Sequence, residues 1–116
     1  MRYTLFLYNN EAGYANTTPA QMQQQLAAFG AYIGALKEAG IFISTDWLQP
    51  SATGTTLSLR EGKRLVQDGP YADTKEQLGG YFVIDVADLD IALNWAAKCP
   101  TAPYGIIELR PSAMPA

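Results

Sequence analysis

Hydrophobic positions along this chain switch between two spacings, and the switches mark its elements. Tyr3-Thr4-Leu5-Phe6-Leu7-Tyr8 is β-branched, aromatic and aliphatic and stops at Asn9-Asn10, which predicts a strand. Thr18-Pro19-Ala20-Gln21 supplies an N-cap threonine, a proline at the first helical position and a glutamine at the capping-box position. Met22, Leu26, Phe29, Ile33 and Leu36 follow at spacings of 4, 3, 4 and 3, one apolar stripe on an amphipathic helix. Gly40 stands where a left-handed helix end belongs. Residues 41–48 predict a second strand, closed by Pro50.

Residues 55–60 and 63–67 flank Glu61-Gly62, the pattern of a tight hairpin, and their charges place that ribbon near the edge of the domain. Residues 81–86 predict the next strand. Asp88 caps a second helix, with Leu89, Ala92, Leu93 and Ala96 expected on its buried side and Pro100 beyond its end. Residues 104–109 form the final predicted strand.

Without the hairpin the order is β-α-β-β-α-β, the split βαβ arrangement of a ferredoxin-like α+β domain. The first strand, Ile41-Phe42-Ile43 and Tyr81-Phe82-Val83-Ile84 are apolar at consecutive rather than alternating positions, as in sheets covered on both faces. Two helices cover one face. A second copy of the sheet is the simplest cover for the other, which predicts a homodimeric α+β barrel.

Composition narrows the reading. At 116 residues the chain is expected to form one domain over residues 1–116. Charged residues make up only 16% against 48% hydrophobic, too few for a fully solvated surface, which again points to burial between subunits, as a homodimer or a higher oligomer. The net charge of −3, with Arg60, Lys63 and Arg64 as the one basic cluster, argues against a nucleic-acid partner. Cys99 is the single cysteine, so no internal disulfide forms and a reducing cytoplasm is expected. Polar Asn9-Asn10-Glu11 comes too early for a signal peptide, and no apolar run reaches the length of a membrane span. The absence of histidine removes the commonest general base and metal ligand. No dedicated metal site is expected, and Gly79-Gly80 lacks the spacing of a phosphate loop, so no cofactor is expected either.

Candidate chemistry concentrates between Asp68 and Gly80, where acids, a lysine and a phenol share a segment that must turn sharply. Asp68 precedes Gly69-Pro70. Its carboxylate serves either as a turn acceptor for backbone amides or as a general acid or base in a cleft. Asp46 interrupts an apolar strand end between Thr45 and Trp47, and a carboxylate there needs partners. Placed opposite Asp68 across one pocket, the two would separate in pKa and work as an acid–base pair. Tyr71 is the expected hydrogen-bond donor to a ligand, and Trp47 a stacking surface if it is not core. Arg60 and Arg64 are placed to neutralise an anionic substrate at the rim. Asp73, Lys75 and Glu76 read as a solvated turn, and Cys99 as structural.

Asp68-Gly69-Pro70-Tyr71 resembles the Asp-Gly-Pro-Phe motif of one branch of the YCII-related proteins, with tyrosine in place of the phenylalanine. The similarity runs from Asp68 through Asp85 and on to Asp88-Leu89-Asp90 and Ala92-Leu93. Arg2-Tyr3, Leu48-Gln49-Pro50 and Glu108-Leu109-Arg110-Pro111 extend it over essentially the whole chain. The resemblance implies a ferredoxin-like, dimeric α+β fold and a link with extracytoplasmic-function sigma factors; most members of the branch lack an assigned activity. The family's phenylalanine in place of Tyr71 favours a packing role there. A histidine–aspartate pair is the proposed site elsewhere in the superfamily, and a chain without histidine cannot take it over.

Two functions follow as expectations. One is a small cofactor-independent lyase or isomerase using carboxylates in a dimer-associated cleft. The other is a noncatalytic ligand-binding or regulatory module. The surroundings of Asp46 and Asp68 discriminate between them: an enclosed shared cleft favours catalysis, and carboxylates occupied by amides and arginines favour binding.

Overall fold

The computed structural model describes residues 1–14 and 16–114. Its elements are β1 (Arg2–Asn9), α1 (Pro19–Glu38), β2 (Phe42–Trp47), β3 (Thr55–Arg60), β4 (Lys63–Asp68), β5 (Gln77–Asp85), α2 (Leu89–Ala97) and β6 (Ile106–Pro111). Short 3₁₀ turns at Glu11–Tyr14 and Ser51–Thr53 join them. Strands β2, β5, β1 and β6 lie in that order in one antiparallel sheet, the ferredoxin-like α+β arrangement. Strands β3 and β4 form a separate two-stranded arm.

Local chemistry explains the element ends. Thr18 accepts the Gln21 amide at 3.1 Å while the Gln21 side chain accepts the Thr18 amide at 3.0 Å, a complete capping box. Gly40, at φ +75°, follows the last turn of α1 in the left-handed conformation a β-carbon disfavours. Glu61 and Gly62 have φ of 53° and 76°, so both central residues of the arm's turn lie in the left-handed region a two-residue hairpin requires. Asp88 caps α2 by accepting the Ile91 amide at 3.0 Å.

The core lies between the helices and one sheet face. Leu5, Leu36 and Ile84 are fully buried there, with Tyr3, Leu7, Phe82, Ala92 and Ala96 around them. Tyr32 donates to the Trp95 carbonyl at 2.7 Å, tying α1 to α2. Its ring meets Phe82 edge-on at 5.1 Å.

Several expectations need correction. Gly79 and Gly80 lie inside β5, which starts at Gln77; a β-carbon on Gly80 would come within 2.7 Å of the Asp46 carbonyl, so only glycine lets β2 approach there. The final strand begins two residues later than expected, because residues 101–105 turn on the Thr101 carbonyl, which accepts from the Tyr104 and Gly105 amides. Leu26, Leu89 and Leu93 are exposed rather than buried. In α2 the buried positions are the small Ala92 and Ala96, which seat the helix close to the sheet and leave Leu93 on a shallow groove beside β6. Trp47, at the outer edge of the sheet, is 57% exposed and is not core.

Burial pushes the Tyr32 phenol far above its usual range, with a smaller push from Cys99, and burial likewise raises the Cys99 thiol. Both groups therefore hold their protons more tightly folded than unfolded. Their contribution to stability is complete below the unfolded values, about 8.5 for the thiol and about 10 for the phenol, and is lost as pH rises past them. Urea midpoints are expected to hold steady from about pH 6 to 8 and to fall above about pH 9, each group adding up to about 1.4 kcal/mol per pH unit. Tyr32→Phe should flatten the part of the decline above about pH 10; an unchanged alkaline limb would contradict the assignment.

Candidate functional site

The sequence-predicted residues are spread over the arm, the segment that follows it and the main sheet. Asp68 ends β4 at the base of the arm, where Gly69, at φ +95°, donates its amide to the Gly54 carbonyl at 2.7 Å and Thr56 Oγ1 donates to the Gly69 carbonyl at 2.9 Å. Beside this turn is an open cleft of about 510 Å³ lined by Ser51, Ala52, Asp68, Gly69, Pro70 and Asp73. Glu11 fixes one wall of it, accepting the Ser51 amide and hydroxyl, each at 2.7 Å. Gly69→Val is expected to cost about 1–2 kcal/mol of stability, since positive φ strains a branched side chain. Equal urea midpoints for variant and parent would refute that.

Asp46, Trp47, Tyr71, Arg60 and Arg64 do not line this cleft. Tyr71 is 92% exposed. Arg60 and Arg64 ride on the exposed arm, where the Arg60 guanidinium donates to the Leu59 carbonyl at 3.0 Å. Asp46 accepts the amide of its neighbour Trp47 at 2.8 Å. Asp46 belongs to the main sheet and Asp68 to the arm, and Asp46 is not among the residues that line the cleft beside Asp68.

Asp46 instead belongs to the sheet face that the helices leave open. Register pairs Asp46 with Tyr81, Tyr81 with Phe6, and Phe6 with Glu108, one row of side chains across all four strands. The next row runs Ser44, Val83, Thr4 and Arg110. Three strand spacings put about 14 Å between the ends of each row. On this face Tyr8 donates to one Glu108 oxygen at 3.1 Å. Arg110 holds the other Glu108 oxygen, also at 3.1 Å, and its guanidinium lies 5.7 Å from the Phe6 ring centre. Burial raises the Tyr8 phenol above its ordinary value, the Glu108 hydrogen bond and charge raise it further, and Arg110 acts in the opposite sense. Tyr8 is therefore a neutral donor at neutral pH, beside a carboxylate held by a guanidinium.

Tyr8, Tyr81, Glu108 and Arg110, which the structure gathers on the open face, were not among the candidates named from the sequence. A signal existed in β6, where charged Glu108 and Arg110 alternate with Ile107 and Leu109 and so share a face.

Among the described residues no group of three or more acidic, cysteine or histidine side chains is placed to hold a metal ion. No helix among them is long and apolar enough to cross a membrane.

A model of the YCII-related domain matches residues 1–112. The chain is also 34% identical over 116 residues to an uncharacterized protein of Rhizobium meliloti, covering 98% of this chain and 94% of that one.

Proposed function

This chain belongs to the YCII-related family, and from that premise we propose that it acts as a homodimer holding a small molecule between its two open sheet faces. The observation that carries this reading is the Tyr8–Glu108–Arg110 set on a face whose aromatic and aliphatic residues, Phe6, Tyr8, Tyr81 and Val83, are only half covered within one chain. A second sheet against that face completes the burial and lowers the dielectric around the set. The Asp68-Gly69-Pro70-Tyr71 turn is our reason for placing the chain in the Asp-Gly-Pro-Phe branch.

The chemistry we assign is proton transfer without a cofactor, of the lyase or isomerase kind. Glu108, paired with Arg110, takes a proton from a carbon next to an electron-withdrawing group. A neutral phenol, Tyr8 or Tyr81, donates to the oxygen where charge develops. Phe6 and Tyr81 form an apolar floor for a planar substrate, with Asp46 as a second carboxylate at the far end of the row. Asp68, in the arm-base cleft, is kept as a separate acid–base candidate.

A binding module without chemistry is the second reading. It is favoured by the Arg110 pairing of Glu108 and by the backbone amide that occupies Asp46.

The test is a metabolite screen by thermal shift, followed by incubation of each stabilising compound in deuterium oxide. Carbon-bound hydrogen exchange is expected in wild type and is expected to fall by about 10²–10⁴-fold in Glu108→Gln, with binding retained. Exchange as fast in the variant refutes the role of Glu108. Binding without exchange in wild type selects the second reading.

A further inference from the structure

The arm of β3 and β4 has no buried residue in either strand. Leu57, Leu59, Leu65 and Val66 are each at least half exposed. A two-stranded hairpin standing alone is marginally stable in water, so these side chains call for a covering surface. The radius of gyration is 16.2 Å, against about 13 Å for a compact chain of this size. The arm thus extends away from its own body.

Register separates the arm into two faces. Leu57 lies opposite Val66 and Leu59 opposite Arg64, so these four share one face. Arg60 and Lys63, also paired, belong to the other.

Charge and reach identify the occupant. Arg60, Lys63 and Arg64 against Glu61 give the tip a charge of +2, leaving −5 on the rest of a chain whose total is −3. The tip is therefore drawn to the body of another copy. Each strand of the arm has six residues, a reach of about 20 Å, enough to span the roughly 10 Å between packed sheets and meet the β2 edge of the other copy.

We infer that the Leu57–Leu59–Val66 face of the arm packs over the β2 edge of the open sheet face of a second copy, beside the paired sheets, and presents Arg64 to the Asp46 carboxylate there. The inference rests on the sheet-face dimer proposed above and adds a residue to its site. Of the carboxylates on the open face, Glu108 is paired with Arg110 and Asp85 with the terminal ammonium, while Asp46 has no cation among the described residues. The site is complete only when the second copy supplies Arg64.

Sedimentation equilibrium of charge-swapped variants tests this. Arg64→Glu and Asp46→Arg should each weaken dimerisation about tenfold or more, and the double variant should return to within about threefold of wild type. Leu57→Ser with Leu59→Ser should weaken it similarly while the urea midpoint of the monomer holds. Wild-type affinity in Arg64→Glu, or no recovery in the double variant, overturns the arm contact. Val83→Arg reports separately on the sheet face. If it dissociates the dimer while the swaps do nothing, the sheet-face reading stands and the arm contact falls. A dimer that survives Val83→Arg removes both.

Discussion

Phe82→Ala is expected to lower the unfolding free energy by about 4 kcal/mol, and Tm by about 16 °C or more. Phe82 is 2% exposed on β5, a strand paired on both sides. Its ring receives Tyr32 edge-on at 5.1 Å and stacks with Phe29 at 6.4 Å. Truncation removes the centre of the contact between α1 and the sheet and leaves a cavity that two hydrogen-bonded strand neighbours cannot close. Phe6→Ala, on the opposite face and half-buried, should cost a folded single chain far less, with any further effect confined to the proposed dimer. A Phe82→Ala protein with a wild-type urea midpoint would mean that the helices do not pack where they are placed. The same reasoning separates two charge insertions. Leu5→Asp and Phe82→Asp both bury the carboxylate under the helices and should unfold the chain, whereas Val83→Arg alters a half-buried position on the open face.

Gly105→Ala is the second large effect. A β-carbon there would collide with the Tyr8 carbonyl oxygen and come within 2.7 Å of Thr101 Cγ2. Thr101 is fully buried, so it cannot move aside. The strain should fall on the pairing of Tyr8 with Ile106 where β6 begins. Destabilisation of about 2–4 kcal/mol is expected. Because the Glu108 hydrogen bond and charge help to raise the Tyr8 phenol, parting the two strands should also let that phenol titrate closer to its ordinary value. Ultraviolet titration of the tyrosines against Tyr8→Phe reads this. Gly79→Ala is the matched control, since its nearest neighbours stand at 3.6 Å and beyond. Equal stability of the Gly105 and Gly79 variants would refute the close approach.

Much of the fold was legible because its signals are local. The capping box at Thr18, the left-handed pair Glu61-Gly62 and the cap at Asp88 each depend on a few adjacent residues, and each forms as read. Burial was less legible. Trp47 is apolar enough for a core, yet its strand is the outer one, and strand order is not written in periodicity. Leu93 fits the α2 stripe, but two alanines fill the contact that the stripe marks. In β1 the consecutive apolar residues alternate between buried and half-buried positions, so one face is packed under the helices and the other is half covered within the chain. The open-face row was hidden because Tyr81, Phe6 and Glu108 become neighbours only through long-range register. Asp68 drew attention by local density of polar groups, which a turn on an exposed arm also produces.

The strand order β2-β5-β1-β6 bears on how the chain is made. The strands alternate between the half before the arm's turn and the half after it, so no two neighbours in the main sheet come from the same half. Arg2 pairs with Asp85 and Tyr3 with Pro111, nearly the full span of the chain. During synthesis β1 and β2 emerge with no strand to receive them, and the sheet assembles only after the second half leaves the ribosome, late and slowly for a chain of this size. The same interleaving makes a break at Glu61-Gly62 harmless to the finished sheet. Each half holds two strands that only the other can complete, so two separately synthesised halves should fold on meeting and remain inert apart.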